Sequence, residues 1–253
     1  MNPVLLLTVL LATAQAQTPA RPIPPDPAER ARIQAGIHSR DWHAREKAFH
    51  AIAGLGCLQA DAVDAAFTLL GIERTFIDDH IAELSPGEAE GWGDPYYSGL
   101  LGFTFSCFQK TPRPDWFRLL ALGSYNPDSP YAKDLAKYVD GSLGWLLSAA
   151  PTQKSPYRRA NLYPLLVNSL AHHADWSSKD RQAVLATLDR GLVDPDNYTV
   201  ISTARAVAAS RLPEARSMLH KAKSTLAKQS GNRSGALQQI DKLVAGLENT
   251  ARP

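Results

Sequence analysis

The chain has 253 residues, a formal net charge of +2, 44% hydrophobic and 21% charged residues, and two cysteines. Its one long apolar run, Val4 to Ala12, is far short of the ~20 residues needed to span a bilayer, which favours a cleaved leader over the alternative of an uncleaved anchor. About 237 residues remain once a 16-residue leader is set aside, enough for one large domain or a helical array.

The leader reads as a cleaved signal peptide over residues 1–16. The apolar run is followed by Ala14-Gln15-Ala16, a small-x-small cleavage pattern, so the mature chain is expected to start at Gln17. No cysteine follows the cleavage point to carry a lipid anchor. The expectation is a secreted or periplasmic protein. Residues 17–25, QTPARPIPP, form a Pro-rich leader that cannot be helical, and residues 26–250 read as a single all-α domain.

Asp26-Pro27-Ala28-Glu29 starts a first helix, with Asp26 as cap and Pro27 at the first helical position; it stops near Gly36. Asp41 to Leu55 carries Trp42, Phe49 and Ile52 on one broad apolar face, and Gly54 and Gly56 mark its end. Ala60 to Leu70 follows with Val63, Ala66, Phe67 and Leu70 at helical spacing, closed by Gly71. Glu73 to Ile81 can continue as helix until Ser85-Pro86-Gly87 stops it.

Leu100 to Phe108 is strongly apolar. With no second strand to pair it, a buried central helix from Pro95 is the expectation. Asp115 to Leu122 is a short helix, Pro130 to Ala150 a longer one, and Tyr157 to Ala174 another in which Pro164 means a kink or a restart. Asp175 to Lys228 reads as three amphipathic helices. Their apolar stripes contain Val184 and Leu188, then Val200, Ala204 and Val207, then Met218, Leu219, Ala222 and Leu226. Ala236 to Leu247 is the last helix. The count is about ten to twelve helices and no reliable strand.

Two segments open alike: Asp41-Trp42-His43-Ala44-Arg45-Glu46-Lys47 and Asp175-Trp176-Ser177-Ser178-Lys179-Asp180-Arg181. A D-W pair and alternating charges leading into an apolar helix, a short turn and a second helix resemble HEAT-like repeats, over residues 41–71 and 175–229. The middle of the chain lacks that pattern. The resemblance implies an irregular stack of antiparallel helical hairpins, an α-solenoid or α/α superhelix, that binds through a concave or edge surface and has no catalytic residues.

Charge is unevenly spread. Glu73 to Asp94 holds seven acids against Arg74, and Arg205 to the end holds nine bases against three acids. The basic region 205–228 is a solvated face or a contact for an anionic membrane surface or acidic partner. Export argues against nucleic acid. Cys57 and Cys107, an even pair in an exported chain, are expected to form a disulfide.

The chemistry-bearing motifs are few. No nucleophile elbow, phosphate loop, HExxH, CxxC or EF-hand spacing is present. His43 and His50 stand two turns apart on one helix, too far to share a metal. No metal, cofactor or catalytic residue is therefore expected. The irregular stretch Leu84 to Tyr97 combines Glu88, Glu90 and Asp94 with Trp92, Tyr96 and Tyr97, and is the candidate binding loop; the other reading is that Trp92 and the tyrosines fold inward to seal one end of the helix stack. The expectation is an exported non-catalytic module that binds a protein partner or acts as a scaffold. A small all-helical hydrolase using the acids of the 84–97 loop is the alternative.

Overall fold

The computed structural model describes residues 26–80, 95–123, 130–210 and 212–250. The signal peptide and Pro-rich leader expected at 1–25 lie outside the described residues. Among those described, the protein is all-helical: twelve α-helices, two 3-10 turns and no strand. No helix among them is long and apolar enough to cross a membrane.

The first half is a set of helices pinned around α3. Helix α1 (Pro27–Ile37) is capped by Asp26, whose carboxylate accepts from the Glu29 amide at 2.7 Å. Helix α2 (Trp42–Leu55) is capped by Asp41 and ends at Gly56, where φ is +73°. The sequence places two helices between residues 60 and 81; the structure has one, α3 (Ala60–His80). Gly71 does not end it, because a glycine inside a helix costs only about 1 kcal/mol and the flanking Phe67, Leu69 and Leu70 are buried. Helices α4 (Pro95–Lys110) and α5 (Pro114–Gly123) pack against α3 and each other. Leu100, Phe105 and Phe108 of α4 are buried, so the apolar run is a helix. A disulfide joins Cys57, just past α2, to Cys107 on α4.

The long helix expected at Pro130 to Ala150 is broken. It comprises α6 (Pro130–Leu135), two 3-10 turns at Ala136–Tyr138 and Asp140–Ser142, and α7 (Leu143–Thr152). Side-chain contacts explain the break. The Ala136 carbonyl is engaged by Nε2 of the buried His173 at 3.0 Å, and Asp140 meets the other ring nitrogen at 3.0 Å and the Trp176 indole N–H at 2.8 Å. Backbone groups withdrawn from the helical ladder are thus satisfied by a neighbouring element.

Helix α8 (Pro156–His172) is the centre of the molecule. Every residue from Ala160 to Val167 is buried, the all-round pattern of a helix enclosed on every side. It packs on α5, α6, α7, α9 and α10. Pro164 neither ends nor restarts the helix; it sits inside a continuous element. The remaining helices are α9 (Ser178–Gly191), α10 (Asn197–Ala209), α11 (Ala215–Leu226) and α12 (Ser234–Thr250). The apolar stripes read from the sequence are the buried ones: Val184 and Leu188, Val200 and Ala204, Met218 and Leu219 all face the core.

The hairpins α7/α8, α9/α10 and α11/α12 follow one another, with α10 packed on both α8 and α12. Polar ties fix that row: Ser202 Oγ donates to the Ala160 carbonyl at 2.8 Å, and Thr199 Oγ1 to the Pro156 carbonyl at 3.0 Å. Between the hairpins, Arg159 donates twice to Asp194, at 2.8 and 2.9 Å, and also to the carbonyls of Gln153 and Lys154. That contact with Asp194 holds its guanidinium charge above the usual arginine range.

The two D-W segments do not occupy equivalent positions. Asp41 caps α2 and Trp42 is 44% exposed, its ring tilted by 30° against that of His43. In the second segment Ser177 is the cap, accepting from the Asp180 amide at 3.1 Å, while Trp176 stacks on His173.

Candidate functional site

Of the loop residues singled out as binding anchors, Glu88, Glu90, Trp92 and Asp94 lie outside the described residues. Tyr96 and Tyr97 do not act as exposed anchors: they are only 5% and 6% exposed, in the first turn of α4. Their hydroxyls point to buried polar groups. Tyr96 donates to Glu73 Oε1 at 3.0 Å, and Tyr97 to the Gly123 carbonyl at 3.5 Å. An aromatic body buries apolar area while its hydroxyl satisfies a polar group, which is why these tyrosines turn inward.

Tyr96 belongs to a buried ionic cluster. Arg45 of α2 meets Glu73 of α3 through Nε and, at 3.3 Å, through Nη2, while its Nη1 donates to the Ser39 and Arg40 carbonyls at 2.9 and 3.1 Å. Removing two charges from water costs several kcal/mol per ion, which paired geometry and extra hydrogen bonds offset. The cluster ties α1's exit, α2, α3 and α4 together and is fully enclosed, so it has no route to a ligand. Its role is architectural.

Buried polar atoms without a hydrogen-bond partner also occur at Arg74 of α3 and around the start of α8. Arg74 is 2% exposed; its Nη1 donates to the Leu119 carbonyl at 3.2 Å and runs beside Gly123, where a Cβ would stand 2.8 Å from that nitrogen. Its Nη2 meets no acceptor among the described residues. At the start of α8, Ser155 is the N-cap residue but makes no capping bond, and its Oγ is buried without a partner. Asn161, 4% exposed, has its amide nitrogen in the same condition. Arg158 lies between them in sequence, donating to Gln153 Oε1 at 3.4 Å. Its guanidinium is pushed down to about 10, first by burial and then by the charge of Arg74. Each buried polar atom left unsatisfied costs about 1–3 kcal/mol, and such atoms mark functional positions or unseen partners. No motif in the sequence singles these residues out, because Arg74 belongs to α3 and the others to the start of α8.

The basic region 205–228 is largely tied to acids of adjacent helices. Lys221 meets Asp189 at 2.5 Å, Arg216 meets Glu248 at 2.7 Å and Lys223 meets Asp241, while the region's own acid, Glu214, is held by Arg181 of α9 at 2.9 Å. An open groove of about 910 Å³ runs between α10 and the α11/α12 hairpin. Its lining includes Ala208, Leu212 and Leu243 together with Arg205, Arg216 and Lys242.

The histidines weighed as ligands are surface groups: His43 and His50 both reach Glu46, at 3.7 and 3.9 Å, and both are well exposed. Among the described residues no group of three or more His, Cys, Asp or Glu is placed to hold a metal ion. Comparison of the chain with protein families, with curated proteins and with solved structures finds no match.

Proposed function

We propose that this chain is an exported, non-catalytic binding module of HEAT-like hairpins, which receives an acidic segment of a partner protein in the groove beside α10. The observation that carries the reading is the groove itself, lined by apolar side chains together with Arg205 and Lys242, while its third base, Arg216, is paired with Glu248. Successive hairpins whose second helices stack in a row, α8 on α10 on α12, generate extended surfaces of this kind. An apolar lining favours a peptide with leucine-like anchors over nucleic acid. The ion pairs that engage Arg216, Lys221 and Lys223 interrupt the continuous basic stripe a phosphate backbone or lipid surface would need.

The test uses a fluorescein-labelled 15-residue helical peptide with leucines on one face and glutamates elsewhere, its lysine counterpart, oligo-dT and phosphatidylglycerol vesicles. The glutamate peptide is expected to bind, and R205E with K242E to weaken it on the order of tenfold. Failure of that peptide to bind at low salt, or tighter binding of oligo-dT or vesicles, removes the reading.

A further inference from the structure

Two oxygens close on the ring of His173, the residue that follows α8. Nε2 stands 3.0 Å from the Ala136 carbonyl, and Nδ1 stands 3.0 Å from Asp140 Oδ1. A carbonyl oxygen only accepts. Asp140 Oδ1 is fixed as an acceptor by a second neighbour, because the Trp176 indole N–H can only donate and reaches the same atom at 2.8 Å. A neutral imidazole has one N–H and one lone pair, so either tautomer turns a lone pair on an oxygen. Only the doubly protonated ring satisfies both contacts. The ring is 9% exposed, which leaves water little room to replace either one.

The surroundings also suit a cation. Asp140 supplies the opposite charge. The Trp176 ring lies flat on the imidazole, with centroids 4.8 Å apart and planes within 7°. His173 is the C-cap of the 17-residue α8, where that helix presents its negative end. Among the described residues Asp140 is the acid at ion-pair distance from the ring. In the elements around it, α6 and the first 3-10 turn carry Lys133, Asp134 and Lys137, of which Asp134 and Lys137 are paired at 2.7 Å. On α5, Asp115 is paired with Arg113, and Arg118 lies over Trp145. Helix α7 carries no charged residue, Asp180 at the start of α9 accepts from Ser177 beside Lys179, and Arg205 of α10 lines the groove. His172 and Asp175 flank the ring in the chain.

We propose that His173 is a pH-sensitive clasp, which as an imidazolium holds the broken segment Ala136–Ser142 against the end of α8 and on losing a proton releases it. The neutral ring serves one oxygen, so either the Ala136 carbonyl or Asp140 loses its donor. The 3-10 turns have poorer internal hydrogen bonds than an α-helix and depend on such outside contacts. Leu135, Val139, Leu143 and Leu146 stand at i, i+4, i+8 and i+11, which fits an unbroken helix, so the released segment has a second conformation open to it. The unfolded chain offers the ring neither partner. The clasp therefore contributes in full below about pH 6.5, where a free histidine is charged, and its contribution is lost as pH rises above that value. The second D-W pair gains a role, since Trp176 both fixes Asp140 and covers the ring. The clasp is separate from the α10 groove and does not depend on it.

The experiment is nitrogen-15 NMR of the histidine side chains of the full chain from pH 5.5 to 8.5, with hydrogen exchange of the amides of residues 139–143. H173Q assigns the ring signal; if that variant does not fold, W176F assigns it through the lost indole ring current. Two N–H groups are expected on His173 at pH 5.5. Amide protection at 139–143, corrected for the intrinsic rate, should fall on the order of tenfold by pH 8.5, while that of 203–207 in α10 holds. D140N keeps an acceptor oxygen but removes the charge, and should move the fall in protection to lower pH. A single N–H on His173 at pH 5.5 overturns the proposal, as does protection at 139–143 that ignores pH. So does a D140N response at the same pH as the wild type.

Discussion

Gly191 of α9 lies flat against the ring of Tyr163 on α8, so close that a Cβ at that position would stand 2.7 Å from two ring carbons. Tyr163 is 1% exposed and is fixed by its neighbours on the central helix, so the ring has nowhere to retreat. G191A is therefore expected to lose about 1–3 kcal/mol by overpacking. Gly246, inside α12, is the control: nothing stands within 4 Å of its would-be Cβ, and G246A should gain up to ~1 kcal/mol in helix propensity. Urea unfolding of the pair gives opposite signs; two losses, or two gains, would contradict the packing account.

The Arg45–Glu73 pair predicts an asymmetry between breaking and replacing. E73Q removes the charge that pairs with the buried Arg45 while keeping an amide oxygen that can accept from Tyr96, at an expected cost of about 3–5 kcal/mol. R45M with E73L removes both charges and should recover most of that loss. A double variant no more stable than E73Q would show that the pair does more than neutralise itself.

The Cys57–Cys107 bridge closes a loop over a separation of 50 residues and joins the α2–α3 joint to α4. In the chain-entropy model it is worth about 4 kcal/mol. Reduction, or C57A with C107A, should lower the melting temperature by that order while far-UV helicity persists below the transition. An unchanged melting temperature under full reduction would contradict the estimate.

The helices were legible wherever the apolar period and the cap agreed, as at Asp26, Asp41 and the stripes of α9 to α11. They were not legible where a distant side chain decides the backbone. The break after Leu135 goes with His173 taking the Ala136 carbonyl, 37 residues away, which the apolar periodicity of the segment does not announce. Gly71 and Pro164 do not interrupt their helices for a related reason: burial of the flanking residues outweighs their local cost. The inward turn of Tyr96 and Tyr97 needs Glu73 and Gly123 as partners, which only the packing of α3, α4 and α5 brings near.

Tyr163 also sets an alkaline limit. Burial, and secondly the charge of Asp194, push its phenol from the ordinary value of 10.0 up to about 12. In the unfolded chain the phenol ionises near pH 10, whereas in the folded chain it stays neutral until about pH 12. The unfolded state thus binds fewer protons across that window, so this residue's contribution is intact below pH 10 and is lost as pH rises towards 12. The loss is on the order of 2 kcal/mol. Arg158 acts oppositely in the same range, since its folded value lies below its unfolded one. Comparison of the wild type with Y163F isolates the tyrosine, because Arg158 is common to both. The stability difference between them is expected to be flat from pH 7 to 9 and to move in favour of Y163F by about 2 kcal/mol between pH 10 and 12. A difference that does not change with pH would mean that the Tyr163 hydroxyl reaches water.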